Sequence, residues 1–123
     1  MKKRILNPER LRKVPPQFSW LDHRLVRENY FVRCGHSAWT LYLFLTSVAD
    51  ADGLSYYSDA SLLRRLKMDQ PGLWASRQQL VQAGLIAYEK PFYQVLSLEP
   101  VGEVRSGPVS VGEILRQALG GQV

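Results

Sequence analysis

The sequence predicts a small α+β domain, mainly helical, with a single β-hairpin following the helices. Three observations carry that expectation. Residues 37–50 (SAWTLYLFLTSVAD) are apolar nearly all round, as a helix buried on most sides must be. Residues 58–84 break at Lys67-Met68 into two short stretches of helical apolar spacing, each opened by a capping residue. Residues 85–98 (LIAYEKPFYQVLSL) set two β-rich runs on either side of Glu89-Lys90-Pro91. With 123 residues, 46% hydrophobic and 11% aromatic, the chain can bury one core and carry tails.

Taken in order, residues 1–16 form a basic arm. Lys2, Lys3, Arg4, Arg10, Arg12 and Lys13 face a single acid, Glu9, so the whole formal surplus of +5 lies here and the rest of the chain sums to zero. Asn7-Pro8 and Val14-Pro15-Pro16 punctuate the arm, with room for a short helix over Glu9–Lys13. It is either a solvated tail or a segment that lies along phosphates. Residues 17–36 are too apolar for a linker: Phe18 and Trp20 are expected to dock on the domain, ahead of a helical or irregular piece over Asp22–Arg33. Ser37 is the expected cap of the first core helix. Ala51-Asp52-Gly53 then signals a turn, and Gly53–Tyr57 a short strand.

In the next helix Ser58 is the N-cap, and Asp59 puts a carboxylate where the helix dipole is positive. Ala60, Leu63 and Leu66 are its expected core face. Asp69 or Gln70 opens the following helix, with Pro71 in its first turn. Leu73, Leu80 and Val81 are its expected buried side, and Gly84 ends it. Arg77 falls on that same side, with its stem packed and its head at an edge, which fits an ion pair better than a base contact. Trp74 sits at the boundary of the apolar face, as core or as an exposed aromatic. Residues 99–110 read as a Pro-, Gly- and Ser-rich linker. Residues 111–119 read as a short amphipathic helix, boxed by Ser110 and Glu113, that needs a surface to fold on.

Helix, tight turn, helix, then LVQAGLI into a strand resembles the helix-turn-helix of winged-helix DNA-binding domains, over roughly residues 37–98. The Leu80–Ile86 run with its glycine at the helix end is a frequent signature of that family. A narrower likeness is to the amino-terminal domains of bacterial, plasmid and phage replication-initiation proteins of RepA and DnaD type. The resemblance implies a three-helix core plus wing within residues 17–98, with the helix-turn-helix at 58–84 and the wing at 85–98. It also implies that the second helix of the motif enters the major groove of double-stranded DNA. The expected function is sequence-specific DNA binding in transcription regulation or in replication and mobile-element control. The alternative is a winged helix used for protein contacts.

On that expectation Gln70, Trp74, Ala75, Ser76, Gln78 and Gln79 form the reading face, since glutamine pairs with adenine and serine reaches several base edges. Ser61, Arg64, Arg65 and Lys67 of the preceding helix, Lys90 at the wing tip, and Lys2, Lys3 and Arg4 of the arm are the expected backbone contacts. Tyr56, Tyr57, Tyr88 and Tyr93 stand either near DNA or in packing. A homodimer is expected, as is a protein partner for the 111–119 helix.

Other chemistries find little support. His23, Cys34 and His36 lack metal-site spacing, and no base and orienting group is legible around Cys34. Neither a phosphate-binding glycine loop nor a Ser-His-Asp set is present, so neither enzymatic activity nor a cofactor is expected. One cysteine suits a reducing cytoplasm. No apolar run reaches the length of a membrane span, and the start MKKRILNPERLRK does not read as a signal peptide.

Overall fold

The computed structural model describes residues 2–98; the expected linker 99–110 and helix 111–119 lie outside them. Among the described residues, four α-helices and a three-stranded antiparallel sheet make up an α+β architecture. The helices are α1 (Arg24–Arg27), α2 (His36–Val48), α3 (Asp59–Leu66) and α4 (Gln70–Gln82). The strands are β1 (Leu54–Tyr56), β2 (Ile86–Glu89) and β3 (Phe92–Val95). Short 3-10 turns at Pro8–Arg10 and Tyr30–Val32 occupy the arm and the stretch before α2.

Local chemistry sets most boundaries. Ser58 Oγ accepts the Ser61 N–H at 3.1 Å, and Asp69 Oδ1 accepts the Gly72 N–H at 2.8 Å, so both α3 and α4 begin with a side-chain cap. Between them Lys67 turns the chain in the left-handed region, at φ 56°, and its N–H returns to the Leu63 carbonyl. Gly84 follows α4 at φ 77°, the conformation a glycine adopts without a Cβ penalty. The cap of α2 is not Ser37. Gly35 takes that position with extended backbone, and the helix starts two residues earlier than a Ser37 cap would place it, at His36. Its far end stops at Val48, because Ala49 is already extended.

The sheet order is β1-β3-β2. The hairpin aligns Tyr88 with Tyr93 and Glu89 with Phe92 across Lys90-Pro91. β1 pairs with the other edge of β3, placing Tyr56 beside Phe92 and Leu54 beside Gln94. Gly53 lets this junction close: it sits at φ +85°, and a Cβ there would lie 2.6 Å from the Val95 carbonyl oxygen. The Gly53 carbonyl accepts the Val95 N–H at 2.9 Å.

The core lies between α2, α4 and the inner face of the sheet, where Leu41, Leu45, Leu62, Leu73, Leu80 and Leu85 are fully buried. Two expected helix faces are corrected by this packing. In α3 the anchor is Leu62, while Leu63 and Leu66 are half-buried and Ala60 is exposed. In α4 the buried line is Leu73, Ser76 and Leu80, and Val81 faces outward. The reason is α2, which crosses α4 along the side that carries Gly72, Ser76 and Gln79. The apolar stripe is thereby rotated toward residue 76 and away from 81. Phe18 and Trp20 do not dock: both remain mostly exposed, and between them Ser19 Oγ donates to the Thr46 carbonyl at 2.9 Å.

Candidate nucleic-acid interface

With Leu73, Ser76 and Leu80 turned inward, one stripe of α4 is left to solvent: Gln70, Trp74, Ala75, Gln78 and Gln82 are exposed. Residues three and four apart share a helix face, so Gln70, Trp74 and Gln78 form a continuous row. Two of the expected reading residues are not on it. Ser76 is 2% exposed and packs into the α2–α4 contact. Gln79 is half-buried, and its Oε1 accepts the Gly35 N–H at 2.7 Å. It thereby ties α4 to the N-cap residue of α2.

An inner polar cluster fixes how α4 stands against α3 and the hairpin. Asp59, in the first turn of α3, accepts from Arg77 Nη1 at 3.0 Å and from the Trp74 indole N–H at 3.2 Å. Arg77 Nη1 also donates to the Tyr93 hydroxyl at 2.9 Å. The guanidinium carbon lies 4.3 Å from the centre of the Tyr88 ring, a cation–π contact. Tyr88 in turn packs on Tyr93 with ring centres 4.6 Å apart. One arginine on α4 therefore touches α3, β2 and β3 at once. Arg77 is thus an ion-pair residue, as its position on the helix predicts, but its partner was not legible: Asp59 reads in the sequence only as a dipole-favoured residue.

The electrostatics follow the geometry. Burial raises the Asp59 carboxyl, but the bonds from Arg77 and Trp74 outweigh it and hold the group below its ordinary value. Burial likewise works against the Arg77 charge, and its bonds to Asp59 and Tyr93 reverse the balance, so it holds its proton more tightly than usual. Burial also pushes up the Tyr93 hydroxyl, only partly offset by Arg77. Tyr93 is 1% exposed, which removes it from the residues available to a backbone contact; its pairing with Tyr88 is cross-strand packing.

Around this cluster the expected backbone contacts stand in different surroundings. Arg64, Arg65, Lys67 and Lys90 are exposed. Arg65 Nε donates to Ser61 Oγ at 3.3 Å, which keeps Ser61 half-buried under the arginine. Lys90 stands at the hairpin tip, close enough to Asp59 for its charge to act on that carboxylate. Tyr57 is half-buried against Phe44, with ring centres 5.1 Å apart, whereas Tyr56 is exposed beside Phe92 on the outer face of the sheet. Lys2, Lys3 and Arg4 lie on an exposed arm, and just past its end Ser19 is bonded to Thr46. The α4 contact is at Gly35, so the two attachments are separated by about 16 Å of helix at 1.5 Å per residue.

Elsewhere the surface is less organised. An open cleft of about 570 Å³ lies under the arm, lined by Trp20, Tyr42, Thr46, Asp50 and Leu98 among others. At its rim the Arg24 guanidinium grips Asp22 at 2.6 Å and holds that carboxyl down to about 2. Cys34 is partly buried, its thiol is raised by burial, and its Sγ lies 3.7 Å from the Gln79 carbonyl. Among the described residues no three His, Cys, Asp or Glu side chains come together as a metal-binding group, and no described helix is long and apolar enough to cross a membrane. No family model, curated protein or solved structure matches the chain.

Proposed function

We infer that the chain is a winged-helix protein that binds double-stranded DNA in a sequence-dependent way, in transcription regulation or in replication and mobile-element control. The observation that carries this reading is the α4 row. A helix follows another after a tight left-handed turn and is braced from behind by Arg77. It presents Gln70, Trp74, Ala75 and Gln78 outward beside a hairpin tipped with Lys90. Order and pairing agree with that reading: a helix, a short strand, the two helices of the motif, then a hairpin whose returning strand pairs with the short one. On this reading Gln70 and Gln78 read base edges. Arg64, Arg65, Lys67 and Lys90 hold phosphates. The arm, rooted at the other end of α2, adds charge-driven affinity independent of register.

The test is binding of the full chain to a random-sequence duplex pool at two salt concentrations, repeated with residues 1–16 removed. The expected result is salt-dependent binding that enriches a sequence, with a shallower salt slope after truncation. Gln78→Ala should then change the enriched sequence, and Arg64→Ala should weaken all sequences alike. If both variants bind like the parent, α4 is not in a groove and the reading falls.

A second reading has its own observation. Tyr56 and Phe92 stand exposed side by side on the outer face of the sheet, at 69% and 53%, in a part of the chain with no net charge. Such a face suits a protein contact. No duplex binding at low salt would favour it.

A further inference from the structure

The chemistry of the α4 row restricts what it can recognise. The commonest specific base contact is Arg or Lys to guanine O6 and N7. α4 has one cation, Arg77, and that side chain points inward, bound to Asp59 and Tyr93 and stacked on Tyr88. The exposed row therefore offers amides and apolar surface and no positive charge. Amides of glutamine match adenine N6 and N7, and apolar groups match the C5-methyl of thymine.

Trp74 is the largest exposed group in the row, at 51%. A tryptophan ordinarily offers a hydrogen-bond donor at its edge. Here the indole N–H is already held by Asp59 Oδ2 at 3.2 Å, and the same carboxylate is held by Arg77. The ring is therefore oriented and shows the outside an apolar surface with its donor occupied. Gln70 lies one turn before it and Gln78 one turn after. We propose that Trp74 is a specificity-determining residue that contacts thymine C5-methyl groups, flanked by adenine-reading glutamines, so that the DNA segment under α4 is rich in A·T pairs. This rests on the DNA-binding reading above and goes beyond it in naming the base class and the atom recognised.

The experiment uses the full chain. A duplex is selected from the random pool, and its thymines are replaced one at a time by deoxyuridine, which removes only the methyl. At one or two positions the parent should bind about fourfold more weakly per methyl lost, the ratio that corresponds to burying one such group. Trp74→Phe keeps the apolar ring without the N–H and should retain the discrimination. Trp74→Ala should bring thymine and deoxyuridine duplexes within twofold of each other. Thermal melting of the variants shows whether the fold is kept, and Trp74→Gln, which keeps a long side chain without the apolar ring, should likewise abolish the discrimination and carries the test if Trp74→Ala is unstable. Enrichment of a G·C-rich sequence, or equal binding to thymine and deoxyuridine at every position, would overturn the proposal and leave DNA binding standing. Absence of any duplex binding would overturn both.

Discussion

Replacing Arg77 by Met removes the charge and the donors while keeping an unbranched stem of similar length, so it isolates the polar lock from the packing. The side chain loses two hydrogen bonds, to Asp59 at 3.0 Å and Tyr93 at 2.9 Å, and a cation–π contact with Tyr88 at 4.3 Å. Bonds to charged groups contribute roughly 1.5–3 kcal/mol each when well buried, and the ring contact about 0.5–1 kcal/mol. The pair is only partly buried, with 14% of the Arg77 side chain and 34% of the Asp59 side chain exposed, so the bond to Asp59 is worth less than the buried value. The Tyr93 hydroxyl, by contrast, is left in a buried setting without its donor, which adds a desolvation penalty of about 1 kcal/mol. Together these predict a loss of at least about 3 kcal/mol, or a drop in Tm of roughly 12–24 °C or more for a domain of this size. Urea unfolding of the parent, Arg77→Met, Asp59→Ala and the double variant would measure it, with the slope checked for constancy. A coupling energy of about 1 kcal/mol or more between the two positions is expected. Arg77→Met within about 0.5 kcal/mol of the parent, the scatter of an ordinary surface change, would refute the claim that this residue joins α4 to α3 and the hairpin.

The corrected face of α3 makes a sharper contrast than either residue alone. Leu62→Ala should cost about 3 kcal/mol in chemical unfolding, as for a fully buried leucine, while Leu63→Ala, half-buried, should cost clearly less. Equal costs, or the reverse order, would return the core to the 60–63–66 stripe. The acid limb gives a third check. Asp22, held to about 2 by its bonds from Arg24, and Asp59, held down by Arg77 and Trp74 against its own burial, both lie below the ordinary 3.8. A depressed carboxylate stabilises fully above its unfolded value and loses that contribution as pH falls through the folded one. The parent should therefore weaken between about pH 4 and 2. In the Asp22→Asn, Asp59→Asn double variant that slope should flatten, as read from melting temperature against pH.

What the sequence made legible, and what it hid, divides by distance along the chain. Ser58, Asp69 and Gly84 act on backbone within three or four residues of themselves, and each stands where a local rule puts it. The hairpin turn at Lys90-Pro91 is likewise a matter of adjacent residues. The expected places of Leu63, Ser76 and Gln79 differ from the observed ones because nothing near them decides their orientation. Leu62 and Leu63 are both leucines, and the choice between them is made by how α3 lies on the core. Gln79 is bound to Gly35, which is 44 positions earlier, and Ser76 is buried on the side of α4 that packs against α2, more than 25 positions away in the chain.

The candidate interface shows the same division, with a consequence for how it works. Arg77 was recognisable as an ion-pair residue from its angle on α4, but the carboxylate it meets is 18 positions away on another helix, and the hydroxyl is 16 away on a strand. Neither spacing has a period that a sequence pattern would reveal. Asp59 has two roles that a local reading merges into one. It sits favourably in the first turn of α3, and it collects the two polar groups of α4 that would otherwise be available outside, the Arg77 guanidinium and the Trp74 indole N–H. The outward chemistry of α4 is thus set by a residue on α3. Asp59→Asn would weaken the hold on the Trp74 indole and leave Arg77 held by Tyr93 and Tyr88 alone, so it should alter the sequence enriched from a random duplex pool as well as lower the melting temperature.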